Sequence, residues 1–111
     1  METRLKSAVQ VGAAVRMAAT MGIVATVVRK GEEEAGAILI KLRQARDACS
    51  VLSQTRDLDG RLSWLRATGP APTDEATCDA YIERQVKRDP DLWVVEIEDK
   101  QGRHLFDGIV V

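Results

Sequence analysis

The chain has 111 residues, 45% of them hydrophobic and 30% charged, which is typical of one folded domain and not of a disordered chain. Its 16 Lys and Arg residues against 17 Asp and Glu residues give a formal charge of −1, so the strong basic excess of many nucleic-acid-binding domains is absent. We therefore predict a single domain over residues 1–111.

The chain is predicted to begin with a helix over residues 4–21, because this segment is rich in alanine and Gly22 is a natural helix stop. Its second half carries only two polar side chains, Arg16 and Thr20. A helix that is apolar on most sides is normally buried on more than one side. We therefore predict a homodimer that forms through this helix, with burial under the molecule's own sheet as the alternative. The predicted contact residues are Val11, Val15 and Ala18.

The same apolar segment is too short to cross a membrane. Its longest uncharged run, residues 17–28, has 12 residues, whereas a spanning helix needs about 20. It continues into a strand pattern without a cleavage site, which argues against a signal peptide. Cys49 and Cys78 form no metal-binding pair, so we predict two buried free thiols and no metal site. These features predict a cytoplasmic protein without membrane contact.

Four strands are predicted to follow, at about residues 23–29, 37–42, 48–54 and 61–68. The first two are rich in β-branched residues and flank an acidic connector with a glycine at each end, which is typical of a hairpin loop. The second strand alternates in polarity, which predicts that one of its faces is buried and the other solvated. Strands joined in this way form an antiparallel meander.

A second helix is predicted from an N-cap at Thr73 to about Arg88, and Pro90 ends it. Residues 92–98 are predicted to form the next strand, and residues 104–110 to return as a final one. The order α-β-β-β-β-α-β-(β) predicts an α+β fold, with an antiparallel sheet and both helices on one face.

The densest polar and aromatic segment is the junction of the second helix and the following strand, residues 81–93. Such junctions often carry binding residues on a rigid frame. The alternative is that Asp89 and Asp91 only end the helix and pair with nearby groups. The candidate binding residues are Tyr81, Arg84, Gln85, Arg88, Asp91 and Trp93.

Two features near the end of the chain suggest acid–base chemistry. Glu96 and Glu98 fall on one face of a strand, and paired carboxylates serve as general acid and base or bind a cation. The alternative is a solvated face on which Glu98 pairs with Arg103. His104 is the sole histidine, so any imidazole chemistry depends on it. The chain has no nucleophile, phosphate-loop or dinucleotide motif, so we predict no cofactor and favour a protein that is not an enzyme.

A basic cluster is predicted on the solvent face of the first hairpin, from Lys30, Lys41 and Arg43. Phosphates of a single-stranded nucleic acid would find contacts there. No aromatic residue lies in this hairpin, so the stacking platforms that such binding uses are missing. Nucleic-acid binding is therefore disfavoured.

Several stretches of the chain resemble a catalogued family. They are DAYI at residues 79–82, RQ at 84–85 and DPDLWVVEIED at 89–99, together with Gly31, AGAI at 35–38, Lys41 and GRH at 102–104. These stretches resemble the domain-of-unknown-function family number 1491, whose members are short alphaproteobacterial proteins. The resemblance extends over nearly the whole chain. It implies a bacterial, cytosolic, single-domain protein and brings no catalytic residues.

From the sequence we predict a small, non-enzymatic, cytosolic binding or interaction module that associates with itself through its first helix. The alternative is a small-molecule or nucleic-acid-binding protein that uses residues 81–93 and the basic first hairpin. An enzyme built on Glu96, Glu98 and His104 is the third hypothesis. A ligand site requires a concave pocket reached by Arg88 and Trp93, and an enzyme requires a carboxylate near His104 in a cleft.

Overall fold

The computed structural model describes residues 5–111, which form two helices and one six-stranded sheet. The elements are α1 (Ser7–Met21), β1 (Val24–Arg29), β2 (Ile38–Ala45), β3 (Ala48–Arg56), β4 (Leu62–Arg66), α2 (Glu75–Arg88), β5 (Trp93–Glu98) and β6 (Ile109–Val110). Each predicted helix and strand is present, and the final strand is reduced to two residues. Residue 4, the predicted start of the first helix, lies outside the described residues.

The strand order in the sheet is β1-β5-β2-β3-β4-β6. β2, β3 and β4 form the predicted antiparallel meander. β5, however, lies between β1 and β2, antiparallel to β1 and parallel to β2, and β6 is parallel to β4. The sheet is therefore mixed, and the prediction of an antiparallel sheet is wrong. The predicted hairpin of the first two strands is wrong as well, because β1 and β2 are not neighbours.

The composition of β5 explains its central position. Residues 92–95 form a continuous apolar run and are all buried, which is typical of a strand covered on both faces. A parallel pair such as β2 and β5 also needs a long crossover between its strands, unlike a hairpin. Here the chain returns through α2 before β5 begins.

The two helices cover opposite faces of the sheet. α1 packs on the side of Ile40 and Val95, which we call the α1 face, and α2 packs on the side of Leu39 and Val51, which we call the α2 face. The prediction of both helices on one face is therefore wrong. The predicted half-buried second strand is wrong for the same reason, because residues 38–42 are buried on both sides.

α1 turns the residues of its predicted dimer contact toward its own sheet. Val11 and Ala18 are 3% and 1% exposed, and Val15 is half-buried against the same core. Residues three, four and seven positions apart share one face of a helix, and the sheet is wide enough to cover that face. A contact through this helix would instead have to use its outer face, where Val9 and Met17 are exposed.

Local chemistry fixes the ends of both helices. Gly22 ends α1 as predicted, in the left-handed conformation with a φ of 68°. The N-cap of α2 is Asp74 and not the predicted Thr73, because the Asp74 carboxylate accepts hydrogen bonds from the N–H and the hydroxyl of Thr77, at 3.2 and 2.6 Å.

Within residues 5–111, neither helix combines the length and the apolar character needed to cross a membrane.

Candidate functional site

The most extensive polar constellation is an ion-pair network on the α2 face. At its centre is Lys41 of β2, which is only 7% exposed. The Lys41 ammonium lies 2.8 Å from a carboxylate oxygen of Asp79 and 3.3 Å from oxygens of both Glu75 and Glu96. Three carboxylates from two different elements therefore enclose a single buried cation.

Arg43 extends this network along β2. Its guanidinium lies 3.3 Å from Glu75 and 3.0 Å from Glu98. The parallel register of β2 and β5 explains the strand-to-strand pairs, since it sets Lys41 opposite Glu96 and Arg43 opposite Glu98. No local pattern in the sequence indicates that these strands are neighbours, so the network could not be predicted.

The predicted pairing of Glu98 with Arg103 is wrong, because Arg103 binds Asp99. The Arg103 Nε and Nη2 atoms lie 2.8 and 3.0 Å from the two Asp99 oxygens, and the Arg103 backbone N–H donates to the same carboxylate. These hydrogen bonds outweigh the effect of burial and lower the pKa of Asp99 to about 2. The pair fixes the turn that follows β5.

The network keeps Lys41 protonated. Burial by itself would lower the pKa of the ammonium, but hydrogen bonds and charges from Asp79 and Glu96 outweigh burial and hold the pKa above its ordinary value. An enclosed lysine that stays protonated does not act as a base or a nucleophile. The network therefore ties α2 to β2 and β5 and offers no acid–base chemistry of its own.

The basic cluster predicted on the first hairpin does not form. Lys41 and Arg43 are paired with carboxylates on the α2 face, whereas Lys30 lies beyond the end of β1 and pairs with Glu33 at 3.1 Å. The three cations are not grouped on one surface. Phosphate groups of a nucleic acid would find no shared contact surface among them.

His104 lies on the opposite face of the sheet from Glu96 and Glu98. Its ring packs on Trp64 with 5.7 Å between centroids, and its Nδ1 accepts a hydrogen bond from the Phe106 N–H at 3.2 Å. Burial lowers the pKa of the His104 imidazole. Trp64 belongs to the core of the α1 face, whereas the two glutamates pair with cations on the α2 face. The structure does not bring the three residues of the predicted acid–base site together.

The six binding residues predicted at residues 81–93 fall into separate groups. Tyr81 packs against the core of the α2 face, and the Arg84 guanidinium lies 6.0 Å from its ring centroid. Trp93 is buried on the α1 face. Three others are partly or fully exposed: Gln85, Arg88 and Asp91. The sheet therefore separates Trp93 from Tyr81, and the six do not surround one pocket.

Trp93 and Asp91 instead hold the loop that joins β1 to β2. The Trp93 indole N–H donates to the Glu32 carbonyl at 2.7 Å, and the Glu32 N–H donates to the Asp91 carbonyl at 3.0 Å. A Cβ atom at Gly31 or Gly36 would clash with the Asp91 carbonyl oxygen, so only glycine fits at either position. The glycines and the tryptophan segment that carry the family resemblance thus contact each other and shape this loop.

The two cysteines, Cys49 of β3 and Cys78 of α2, are buried free thiols between α2 and the sheet, as predicted. Burial is the main cause that raises the pKa of both Cys49 and Cys78. They are therefore protonated near neutral pH and are not thiolate nucleophiles. Among residues 5–111, no group of three or more His, Cys, Asp or Glu side chains is placed to hold a metal ion.

On the α1 face, a groove lies between α1 and the segment of residues 105–107 near the end of the chain. It consists of a cavity of about 270 Å³ beside Phe106 and a second one of about 320 Å³ beside the loop before β2, and both are lined by Gln10 and Leu62. Gln54 closes part of the second cavity by donating to the Gln10 side-chain oxygen at 3.0 Å. Leu105, on the wall of the first, has a φ of 66°, a strained conformation for this residue type. No local pattern in the sequence indicates this groove, because two segments that are distant along the chain form it.

β1 is the outermost strand on one side of the sheet, and among the described residues no strand lies on its free side. Val24, Val27 and Val28 are 57%, 41% and 58% exposed. Residues 24–28 include no charged side chain. A long, exposed and apolar edge strand offers its free N–H and C=O groups to another chain. Its β-branched composition was visible in the sequence, but there it indicated a hairpin strand.

Comparison with known proteins decides the family. The profile of the family described as "Protein of unknown function (DUF1491)" matches residues 5–107. The chain belongs to the DUF1491 family. The resemblance drawn from the sequence is confirmed, and the function of the family is unknown. No curated protein matches the chain.

Solved structures of similar proteins share this fold. The crystal structure of a DUF1491 protein from Caulobacter crescentus CB15 is 39% identical, covers 97% of this chain and 100% of its own, and has a TM-score of 0.87. An NMR structure of a DUF1491 protein from the same organism is also 39% identical, covers 99% of both chains and has a TM-score of 0.85. The solution structure of a protein from A. tumefaciens is 29% identical, covers 94% of this chain and 93% of its own, and has a TM-score of 0.75.

Proposed function

We propose that this protein is a non-enzymatic interaction module that associates with a second copy of itself. The observation that carries the proposal is the exposed apolar strand β1, which leaves three valines in contact with solvent and has no charge over residues 24–28. An exposed, uncharged edge strand of this kind is typical of a contact surface. The outer face of α1 adds Val9 and Met17, which are also exposed.

The positions of the side chains that could act as acids, bases or nucleophiles favour a binding protein over an enzyme. Lys41 is enclosed by carboxylates, and the sheet separates His104 from Glu96. We also propose that the protein is bacterial and located in the cytoplasm. The free, buried thiols of Cys49 and Cys78 support a reducing compartment, and the relatives from C. crescentus and A. tumefaciens support a bacterial source.

Sedimentation equilibrium on the full chain tests the proposal. The measurement extends from about 1 μM to about 1 mM, since a contact formed by one strand and its side chains has an expected dissociation constant in the micromolar range. We expect the weight-average mass to rise from that of one chain toward that of two. A mass that stays at one chain over the whole range would refute self-association.

Small-molecule binding is a second candidate function, favoured by the groove beside α1. Its first cavity combines apolar walls, such as Leu105 and Phe106, with the polar side chain of Gln10. A concave site with few polar groups is typical of small-ligand pockets. This location differs from residues 81–93, where the sequence predicted the ligand.

Saturation-transfer NMR with benzoate and indole tests the second candidate. We expect signal from the natural chain and its loss in Ala13→Trp, which fills the cavity. Ala19→Trp, at an exposed position of the same helix, is the matched control. No signal with the natural chain, or equal loss in both variants, would contradict binding in this groove.

A further inference from the structure

We infer that two copies pair through β1, edge to edge and antiparallel, so that two six-stranded sheets join into one continuous sheet. The inference rests on the proposed self-association and names its contact. It also moves that contact away from Val11 and Ala18, which the molecule's own sheet covers.

The cations that could guard the β1 edge are turned away from it. Natural edge strands often carry lysine or another charge that discourages pairing with a second chain. At the end of β1, the Arg29 Nη1 donates to the Leu92 carbonyl at 2.6 Å, inside the same molecule. The next residue, Lys30, pairs with Glu33 at 3.1 Å. Neither cation is directed at a chain that would approach along residues 24–28.

Among residues 5–111, no helix covers the side of β1 that belongs to the α2 face. Val24 and Thr26 are set opposite Glu98 and Glu96 of β5, which places them on the α2 face. α2 packs on β3, three strands away in the sheet, so it does not shield this part of the α2 face. Pairing of two β1 strands would set these small, β-branched side chains against their own copies, where such pairs stabilise a sheet.

Two copies of β1 are compatible with each other in an antiparallel pair. Residues 24–28 are uncharged, so two copies meet without like-charge repulsion. A β-bulge at Val28 interrupts the register with β5 after Val27. Such bulges shorten the regular part of an edge. The twofold axis therefore lies near Ala25 and Thr26, and Val24 of one copy lies close to Thr26 or Val28 of the other.

Charge placed on the edge tests the pairing. The variant Val24→Lys/Val28→Lys puts two cations on exposed positions, where the fold of one chain tolerates them. We expect the dissociation constant from sedimentation equilibrium to rise at least about 100-fold, because like charges meet across the axis. Matched controls are Ile109→Lys on the other edge of the sheet and Met17→Lys on the outer face of α1, both at exposed positions.

The outcomes separate this inference from the proposed function. A natural chain that stays monomeric refutes both. A dimer that persists in the double variant but is lost in Met17→Lys refutes strand pairing and leaves self-association standing, through α1. A double variant that is monomeric, with both controls dimeric, supports pairing through β1.

A second measurement does not depend on the folding of any variant. In a mixture of isotope-labelled and unlabelled natural chains, we expect intermolecular NOEs from the methyl groups of Val24 to those of Thr26 or Val28 of the other copy, since cross-strand neighbours lie about 5 Å apart. Intermolecular NOEs that involve only α1 residues such as Val9 and Met17 would overturn the inference. A dimer with no NOE between β1 strands would overturn it as well.

Discussion

The sheet ends at β1 on one side and at β6 on the other, and the two strands differ in length and in the way the chain holds them. β1 has six residues, and the exposed side chains of residues 24–28 carry no charge. β6 has two residues, and it pairs with β4 only at Ser63 and Trp64. A very short strand offers too few free N–H and C=O groups to template another chain.

The segment before β6 is also firmly anchored. The Trp64 indole N–H donates to the Asp107 carbonyl at 2.7 Å, and the Val111 N–H donates to the Trp64 carbonyl at 2.8 Å. Gly108 fits closely against Leu62. One edge of this sheet is thus closed by a short, anchored strand, and the other is left open. The two edges therefore differ: the chain itself holds β6, whereas β1, among residues 5–111, keeps a row of N–H and C=O groups without a neighbouring strand.

Replacement of Lys41 by methionine, in the middle of the sheet, is expected to cause the largest loss of stability, against which the variants at the two edges can be compared. Lys41→Met leaves Asp79 and Glu96 without this cation and Glu75 with Arg43 as its remaining partner. We expect a loss of about 3–5 kcal/mol in the free energy of unfolding, measured by urea titration near pH 7. Lys87→Met is the matched control, because that lysine is exposed and pairs with Glu83 alone at 3.7 Å; its expected loss is below about 0.5 kcal/mol. Equal losses would show that the network adds nothing to stability.

Gly108→Ala is expected to open the closed edge. Gly108 has a φ of 100°, and a Cβ atom there would lie 2.5 Å from the Leu62 carbonyl oxygen. We expect a loss of about 3 kcal/mol from strain and clash, together with faster amide exchange in β6. Gly69→Ala is the control, because Gly69 has a φ of 108° with no atom within 4 Å of its added Cβ. A loss no larger than that of the control would mean that close packing does not hold β6.

Asp99→Asn is expected to weaken the turn that leads to the closed edge, in a pH-dependent way. Two of the Arg103 contacts with Asp99 are charge-assisted, so the expected loss near pH 7 is about 2 kcal/mol. The pKa of Asp99 is lowered from 3.8 to about 2 in the folded protein, so its contribution is complete above about pH 4 and disappears as the pH falls through about 2.

The check on Asp99 is a series of urea titrations from pH 7 to pH 2 on the natural chain, Asp99→Asn and the control Asp59→Asn, at an exposed turn. The stability difference between the natural chain and Asp99→Asn should shrink as acid is added. A difference that stays constant down to pH 2 would contradict the role of the Asp99 charge.

Val24→Lys should have the smallest effect on the stability of a single chain. Its side chain is exposed, so at a dilution where the protein is monomeric we expect a change of less than about 0.5 kcal/mol in the free energy of unfolding. At high concentration the same variant should lose the stabilisation that association gives the natural chain. A large loss in the dilute sample would mean that Val24 supports the fold itself and would remove the contrast between the edges.

The sequence predicted the elements well because their signals are local. Gly22 ends α1, Pro90 follows α2, and residues 92–98 show a strand pattern that the structure confirms. It did not predict the neighbours of β5, since a continuous apolar run such as residues 92–95 indicates burial on both faces but not which strands lie beside it.

The candidate sites depended on those missing neighbours. Lys41 and Glu96 were each recognised as notable, yet only the parallel pairing of β2 and β5 brings them together. Trp93 was predicted to bind a ligand, and the structure buries it where its indole N–H holds the Glu32 carbonyl. The composition of β1 predicts one half of a hairpin, because nothing in its sequence shows that β5 would lie beside it in place of β2.

The most direct test of pairing through β1 is amide hydrogen exchange, followed residue by residue at about 20 μM and about 1 mM, on either side of the expected dissociation constant. We predict that amides in residues 24–28 which exchange fast in the dilute sample become protected in the concentrated one, while those of Ile109 and Val110 in β6 do not change. Exchange in β1 that is the same at both concentrations would contradict the pairing of two chains through β1.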